Sequence, residues 1–201
     1  MAVFNAKDRI IECKLVYYGP GRGGKTTNLE YIFKAGKKYT TSEMVSINTK
    51  GDRTLFFDFL PLDIGQIKGY NVKFQLYTVP GQVKYDATRR LVLRGVDGIV
   101  FVADSLKVRR ATNIASLKNL HENLSFYSKD IFKMPLVLQY NKRDLVKEGL
   151  PLLSVDALEA DLNSRLKAPA IEASAISGKN VVLTLKTIIS LTIKSLKNEL
   201  V

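Results

Sequence analysis

The stretch Val16 to Asn28, VYYGPGRGGKTTN, places four glycines within six positions and follows them with a lysine and two threonines. Residues 19–26 fit the pattern G-x-x-x-x-G-K-[ST]. An apolar strand is predicted before them and a helix, TTNLEYIFKAG, after them, which is the context that a phosphate-binding loop requires. The alternative is a glycine-rich turn that matches the pattern by accident. An accidental match does not account for the predicted strand before the glycines or for the predicted helix after them. The stretch therefore predicts a nucleoside triphosphate ligand without deciding its base.

Each residue type in this loop has a physical reason to face phosphate. Glycines without Cβ let successive backbone N–H groups approach the ligand, and the helix N-terminus adds further donors. Lys25 supplies a point charge for the β and γ phosphates, and the Thr26 hydroxyl suits Mg²⁺. Arg22 contacts either a partner or solvent. The predicted contacts are Gly19, Pro20, Gly21, Arg22, Gly23, Gly24, Lys25, Thr26 and Thr27.

The base is indicated by NKRD, Asn141 to Asp144, which directly follows the apolar strand LVLQY. Ligands of open α/β sheets bind beyond the carboxyl ends of strands, where this segment is predicted to lie. A carboxylate accepts two hydrogen bonds at once, and guanine offers two adjacent donors, so Asp144 is the candidate for guanine recognition. Asn141 can tie this segment to the phosphate loop, and the Lys142 stem can cover one face of the base.

The composition is that of a globular chain. The 201 residues are 46% hydrophobic and 25% charged, so one domain spanning residues 1–201 is expected. The chain has no apolar run long enough to span a bilayer and no secretory signal, so a cytoplasmic protein is expected. The single cysteine, Cys13, lies in an apolar run and is predicted to be a buried, inert thiol.

The formal net charge of +12 indicates attraction to nucleic acid, to anionic lipid or to an acidic partner, or else serves solubility alone. Because the basic residues are spread along the chain without a recognised motif, no nucleic-acid partner is expected. The lysine face of the last helix is interpreted as solvated surface, with weak membrane-surface contact as the alternative.

Apolar runs rich in β-branched residues alternate with segments of helical spacing, a pattern typical of an α/β sheet. The predicted strands are Ile10 to Tyr18, Leu55 to Leu62, Val72 to Val79, Gly98 to Ala103, Leu136 to Tyr140 and Ala170 to Ala173. The predicted helix over 108–127 has an apolar stripe of Ile114, Leu117, Leu120, Leu124 and Tyr127. The stripe of the last helix is Leu185, Ile188, Ile189, Ile193, Leu196 and Leu200.

These motifs resemble a known family. GPGRGGKT with NKRD resembles a Ras-type small GTPase, and TLFFDFLP with YTVPGQ is similar to the bacterial MglA family, from about Ile10 to the C-terminus. The resemblance implies a three-layer P-loop GTPase fold of the Ras-like type. Its sheet would be mostly parallel and six-stranded, with one antiparallel pair between 55 and 79 and helices on both faces. It also implies GTP or GDP with Mg²⁺ as ligands and slow GTP hydrolysis.

The resemblance further implies roles for loop residues. Thr54 would be the switch I threonine on Mg²⁺, and Gly81 and Gln82 would begin switch II. Ser174 and Ala175, in EASAIS, would contact the guanine oxygen. Most Ras relatives carry an aspartate at Thr78 that reaches Mg²⁺ through water, so either the metal is held more loosely or Asp58 substitutes.

Two residues are predicted to act in hydrolysis. Gln82 would orient the attacking water, and Arg53 would act as an arginine finger in cis, whereas the alternative is an exposed arginine paired with Asp52 or Asp58. The resemblance implies a dimeric Roadblock-type activator of the MglB kind, downstream effectors, and control of bacterial polarity and motility. A GTP-bound scaffold with little hydrolysis is the alternative. The candidate partner surface is the apolar cluster Leu55, Phe56, Phe57, Phe59 and Tyr85.

Overall fold

The apolar runs of the sequence form the strands of one sheet. The computed structural model describes residues 3–5, 8–36, 45–46, 58–67, 69–81 and 85–199. Within these ranges the sheet has eight strands. They are β1 (Val3–Asn5), β2 (Ile10–Tyr18), β3 (Val45–Ser46), β4 (Asp58–Ile67), β5 (Tyr70–Thr78), β6 (Gly98–Asp104), β7 (Leu136–Asn141) and β8 (Ala170–Glu172).

The strand order is β3-β4-β5-β2-β6-β7-β8, and β1 pairs with the first residues of β2. Five neighbouring strands of this order, β5, β2, β6, β7 and β8, are parallel, and β4 is antiparallel to β5. This confirms the predicted six-stranded, mostly parallel sheet with one antiparallel pair. The short strands β1 and β3 extend it, each pairing antiparallel with its neighbour.

Helices cover both faces of the sheet, as the three-layer prediction requires. They are α1 (Lys25–Ala35), α2 (Asp86–Leu93), α3 (Arg110–Ser125), α4 (Val155–Leu158) and α5 (Val181–Glu199). Leu29 of α1 and Ile188 of α5 belong to the core on one face, whereas Leu93 of α2, Leu120 of α3 and Leu158 of α4 belong to the core on the other. Among the described residues, no helix combines the length and apolar content that crossing a bilayer needs.

The second half of β2, from Leu15 to Tyr18, is apolar and buried at every position. Leu15 and Tyr17 pack into the core shared with α1 and α5, and Val16 and Tyr18 pack into the opposite core. Alternate side chains of a strand point to opposite faces, so a strand covered on both sides has no solvent-facing position. The predicted burial of Cys13, in the same strand, is confirmed, and burial raises the pKa of its thiol to about 12.

A buried polar clasp joins α1, β7 and α5. The Asn28 and Gln139 side-chain amides exchange hydrogen bonds of 2.9 and 3.0 Å, and Gln139 Nε2 also donates to Thr184 Oγ1 at 3.2 Å. All three side chains are fully buried. Because each amide finds a partner, these polar groups are satisfied inside the core and join α1 to β7 and α5.

Several details differ from the prediction. The strand β4 continues to Ile67, beyond the predicted end at Leu62, because a bulge between Asp63 and Gln66 lets it pass Gly65. Ile114 is 43% exposed, so it does not belong to the buried stripe of α3. Tyr85 is buried, which removes it from the candidate exposed surface. Leu55, Phe56, Phe57 and Leu200 lie outside the described residues.

Candidate nucleotide-binding site

The phosphate loop joins the end of β2 to the start of α1, and its backbone leaves no room for side chains. Gly24 has φ 98°, and a Cβ there would collide with Asn141 Nδ2. Gly19 has φ 141°, and a Cβ there would collide with the Val102 carbonyl. Both the backbone angle and the space therefore require glycine. Gly24 gives α1 no side-chain cap, and the first turn has no acidic residue, so the positive end of the helix faces the loop.

Lys25 folds back across this loop. Its ammonium donates to Gly19 O at 3.0 Å and to Pro20 O at 2.7 Å, and its side chain is buried. Holding a cation at the loop mouth creates an anion site made of one point charge and several backbone donors. The geometry suits a polyphosphate.

Asn141 joins three loops at one point. Its Nδ2 donates to Gly23 O at 2.8 Å, which is the tie to the phosphate loop that the sequence predicted. Its Oδ1 accepts a hydrogen bond of 2.8 Å from the Ala175 backbone N–H. A single fully buried amide thus fixes the NKRD segment against both the phosphate loop and the loop that holds Ser174 and Ala175.

Asp144 and Lys142 lie just beyond β7, on a tight turn that begins with Lys142 at φ 68°. The turn is anchored by Arg143, whose Nε lies 2.8 Å from Glu172 Oε2 and whose guanidinium donates to Leu153 O at 2.7 Å. Within the part of the chain that the structure describes, the Asp144 carboxylate makes no hydrogen bond or ion pair. An anchored turn with an unengaged carboxylate can accept two donors from a base.

A cavity of about 740 Å³ opens beside the phosphate loop. It is lined by Gly21, Arg22, Gly23, Gly24, Lys25, Thr26, Thr27, Thr78, Val79, Pro80, Gly81, Tyr85, Arg109 and Thr112. The lining offers hydroxyl oxygens to a Mg²⁺ ion, among them those of Thr26 and Thr78, so the residue types fit a hard cation, though without a carboxylate. Asp58 begins β4 at the same end of the sheet as Thr78, since Phe59 pairs with Tyr77.

The segment after β5 packs directly on the phosphate loop. A Cβ at Gly81 would collide with the backbone of Gly21, so a side chain there would push the two segments apart. The buried Arg89 of α2 donates to Pro80 O at 3.4 Å and to Asn119 Oδ1 at 2.8 Å. Hydrogen bonds from Asn119, and also from Asn123 and Arg89, lower the pKa of the Asp86 carboxyl. This network fixes α2 against α3.

Three predicted residues, Arg53, Thr54 and Gln82, lie outside the described residues, and their roles stay predictions. Two residues near the cavity were missed: Asp104, a buried carboxylate at the end of β6, and Arg109, which lines the cavity. The signal for Asp104 was its position at the carboxyl end of an apolar strand, where ligand-facing groups collect. Arg109 appeared in the sequence only as one half of a basic doublet.

The comparison with known proteins agrees with this geometry. A sequence profile of the Ras family matches residues 14–194, and the chain belongs to that family. It is therefore a Ras-like GTPase, of a class that binds guanine nucleotides with Mg²⁺. The chain is 49% identical over 197 residues to the mutual gliding-motility protein MglA of Myxococcus xanthus strain DK1622, and the match covers 98% of each chain. The predicted resemblance to MglA-type Ras relatives is confirmed.

Replacing Gly24 with alanine is expected to weaken GDP binding at least tenfold, because the added Cβ displaces the Asn141 amide and opens the loop. Gly95→Ala is the matched control, since Gly95 also has a positive φ, 73°, but nothing lies within 4 Å of its added Cβ. Both variants should lose about 1–2 kcal/mol of unfolding free energy from the backbone angle. Urea unfolding and titration with fluorescent GDP measure the two effects, and equal GDP affinity in both variants would contradict the prediction.

Proposed function

We propose that the chain is a guanine-nucleotide switch, one G domain spanning residues 1–201, that binds GTP or GDP with Mg²⁺ and hydrolyses GTP slowly in the cytoplasm. The observation that carries this proposal is the position of Asn141, which bonds both the phosphate loop and the Ala175 backbone. A ligand that spans these loops has a polyphosphate at one end and a purine at the other. The γ-phosphate would order the two switch segments, and hydrolysis would release them.

The preference for guanine is attributed to Asp144. Its carboxylate has no partner within the described chain and stands on a turn anchored by Arg143. Guanine offers two adjacent N–H donors to such a group, whereas adenine does not. Ser174 and Ala175 are proposed to lie beside the guanine oxygen. In the structure their backbone N–H groups donate to Lys179 O at 3.1 Å and to Asn141 Oδ1 at 2.8 Å, so a contact with the base requires one of these donors to be shared or redirected. Lys142 is proposed to lie along the base.

Hydrolysis is assigned to residues that complete the cavity. Mg²⁺, held by Thr26 and Thr54, would neutralise charge on the phosphates. Gln82 would orient the attacking water and Arg53 would stabilise the charge that develops on the transferred phosphoryl group. Thr78 stands where an aspartate usually reaches the metal shell, and Asp58, at the same end of the sheet, is proposed to substitute for it.

The biological setting is inferred from the relative. The similar Myxococcus protein is named for mutual gliding motility, and we assign the present chain a role in bacterial cell polarity and gliding or twitching motility. Its activator would be a dimeric Roadblock-type protein of the MglB kind, acting on a site whose own chemistry is slow. Downstream polarity or motility effectors would bind the GTP form.

Calorimetry with GTP, GDP and ATP in the presence of Mg²⁺ tests the proposal. We expect GTP and GDP to bind tightly and ATP to bind at least a thousandfold more weakly. A site whose polar groups hydrogen-bond guanine rejects adenine, because adenine would leave those buried groups without partners. Identification of the nucleotide that copurifies with the chain is an independent measurement. Equal affinity for ATP and GTP, or no binding of either, would overturn the assignment.

A second candidate is a GTP-loaded scaffold that scarcely hydrolyses its nucleotide. It is favoured by Thr78, a hydroxyl in place of a metal-directed carboxylate, and by Pro80, whose carbonyl is held by Arg89. Gln82 argues for hydrolysis. Single-turnover GTP hydrolysis with and without a Roadblock-type activator separates the two candidates, because a scaffold releases no phosphate in either case.

A further inference from the structure

Asp104 is a buried carboxylate that faces two cations from different loops. Its side chain is 1% exposed, and its Oδ2 lies 2.8 Å from Lys142 Nζ and 3.7 Å from Arg109 Nε. Its Oδ1 accepts a hydrogen bond of 3.1 Å from the Leu106 N–H. The Asn113 amide brackets its backbone, accepting from Asp104 N at 3.0 Å and donating to Asp104 O at 2.8 Å. The carboxylate is therefore held in one position by the end of β6 and by α3.

Arg109 extends from the start of α3 to the phosphate loop. Its Nη2 donates to Gly21 O at 2.7 Å, and its side chain, 31% exposed, lines the wall of the cavity. Its buried Nε has no hydrogen-bond partner in the described part of the chain and is turned toward Asp104. One end of the guanidinium thus engages the loop, and the other faces the buried carboxylate.

The Gly21 carbonyl matters because of the geometry of the peptide unit. In a trans peptide the C=O of one residue and the N–H of the next point in opposite directions. When Arg109 holds Gly21 O, the N–H of Arg22 is directed to the other side of that peptide plane. Without a partner, the carbonyl would have to find another donor, and the peptide plane would be free to rotate.

We propose that Arg109 is a positioning residue for nucleotide retention, because it fixes the Gly21–Arg22 peptide of the phosphate loop. Asp104 couples this contact to Lys142 of the base-binding turn. This inference rests on the proposed function and extends it to residues that the nucleotide need not touch. The phosphates and the base of the ligand are then bound by two loops whose cations, Arg109 and Lys142, both face the Asp104 carboxylate. Loosening either cation should accelerate release of the whole nucleotide.

The test is the rate at which fluorescent GDP dissociates from the full chain into excess unlabelled GDP. Arg109→Ala is expected to accelerate dissociation about ten- to a hundredfold, the range for one hydrogen bond to a charged group. Arg109→Lys should recover most of the loss, because a lysine keeps a cationic donor for Gly21 O. Asp104→Asn should also accelerate dissociation, and the double variant should fall short of the product of the two single effects.

Arg110→Ala is the matched control. Arg110 is the next residue, but it pairs with Asp161 on the surface, 2.7 Å away, and its side chain is 55% exposed. Its replacement should leave GDP dissociation unchanged. Thermal unfolding of every variant separates loss of the fold from loss of the contact, and Arg109→Met, of similar length without a donor, replaces Arg109→Ala if that variant does not fold.

The outcomes distinguish two failures. If the native chain retains GDP but the Arg109 variants dissociate at the rate of Arg110→Ala, the positioning role is overturned and the proposed function stands. Multiplicative effects of Arg109→Ala and Asp104→Asn would overturn the coupling through Asp104. If the native chain holds no guanine nucleotide, the proposed function and this inference both fall.

Discussion

Replacing Arg53 with alanine is expected to reduce activator-stimulated GTP turnover by about 10³- to 10⁵-fold while nucleotide affinity stays near that of the native chain. Phosphoryl transfer needs little covalent chemistry from a protein, so charge stabilisation at the transferred group is a large part of the rate. A guanidinium that arrives only in the transition state affects turnover and leaves ground-state binding almost unchanged. Arg53 lies outside the described residues, and its role is predicted from its position beside Thr54.

Single-turnover phosphate release, with a Roadblock-type activator in excess, measures this effect, and GDP titration measures affinity. Arg94→Ala is a suitable control, since Arg94 is an exposed arginine at the end of α2, away from the phosphate loop in sequence. If stimulated turnover of Arg53→Ala stays within about tenfold of the native value, below the range for arginine fingers, Arg53 is a surface residue. Its partners would then be Asp52 or Asp58.

Replacing Asp144 with asparagine is expected to reverse the preference for guanine, with GTP affinity falling at least a thousandfold and xanthosine triphosphate becoming the better ligand. The carboxylate accepts from two adjacent N–H groups of guanine, whereas an amide offers one acceptor and one donor. Xanthine carries a carbonyl oxygen where guanine carries its amino group, so it complements the amide. Sites built on paired hydrogen bonds discriminate by about 10⁴- to 10⁵-fold, which makes the expected reversal large.

Calorimetry of both triphosphates against the native chain and Asp144→Asn measures the reversal. Asp156→Asn serves as the control, because it makes the same chemical change at an exposed position in the first turn of α4. A variant at position 144 that binds GTP as the native chain does would show that the base is recognised elsewhere. Loss of both ligands together would indicate damage to the turn, and the unfolding transition would reveal it.

Local patterns in the sequence predicted most of the fold. The bounds of β2 agree with the prediction at both ends, because the run from Ile10 to Tyr18 is apolar apart from Glu12 and Lys14 and Gly19 ends it. The tie from Asn141 to the phosphate loop was predictable, since a strand end, a short amide side chain and a glycine loop all converge at one edge of the sheet. In both cases the local sequence pattern favours the same conformation that the packing of the sheet requires.

What could not be predicted depends on contacts between distant parts of the chain. The ion pair of Asp104 with Lys142 joins residues 38 apart, and nothing in either local pattern indicates it. Tyr85 lies in a segment that gives no sign of burial in the sequence, yet it is only 7% exposed in the folded chain. The strand β3 has two residues, too few for an alternating pattern to be recognised.

The polar clasp has a mechanical consequence. Asn28 Nδ2 donates both to Gln139 Oε1 and to Gly24 O, each at 2.9 Å, so the interior amides continue into the phosphate loop. Through Gln139 the same chain of contacts reaches Thr184, near the start of α5. The first and last helices are consequently joined through β7 by one buried hydrogen-bonded path, so a displacement of α5 at Thr184 would strain contacts that end at the Gly24 carbonyl.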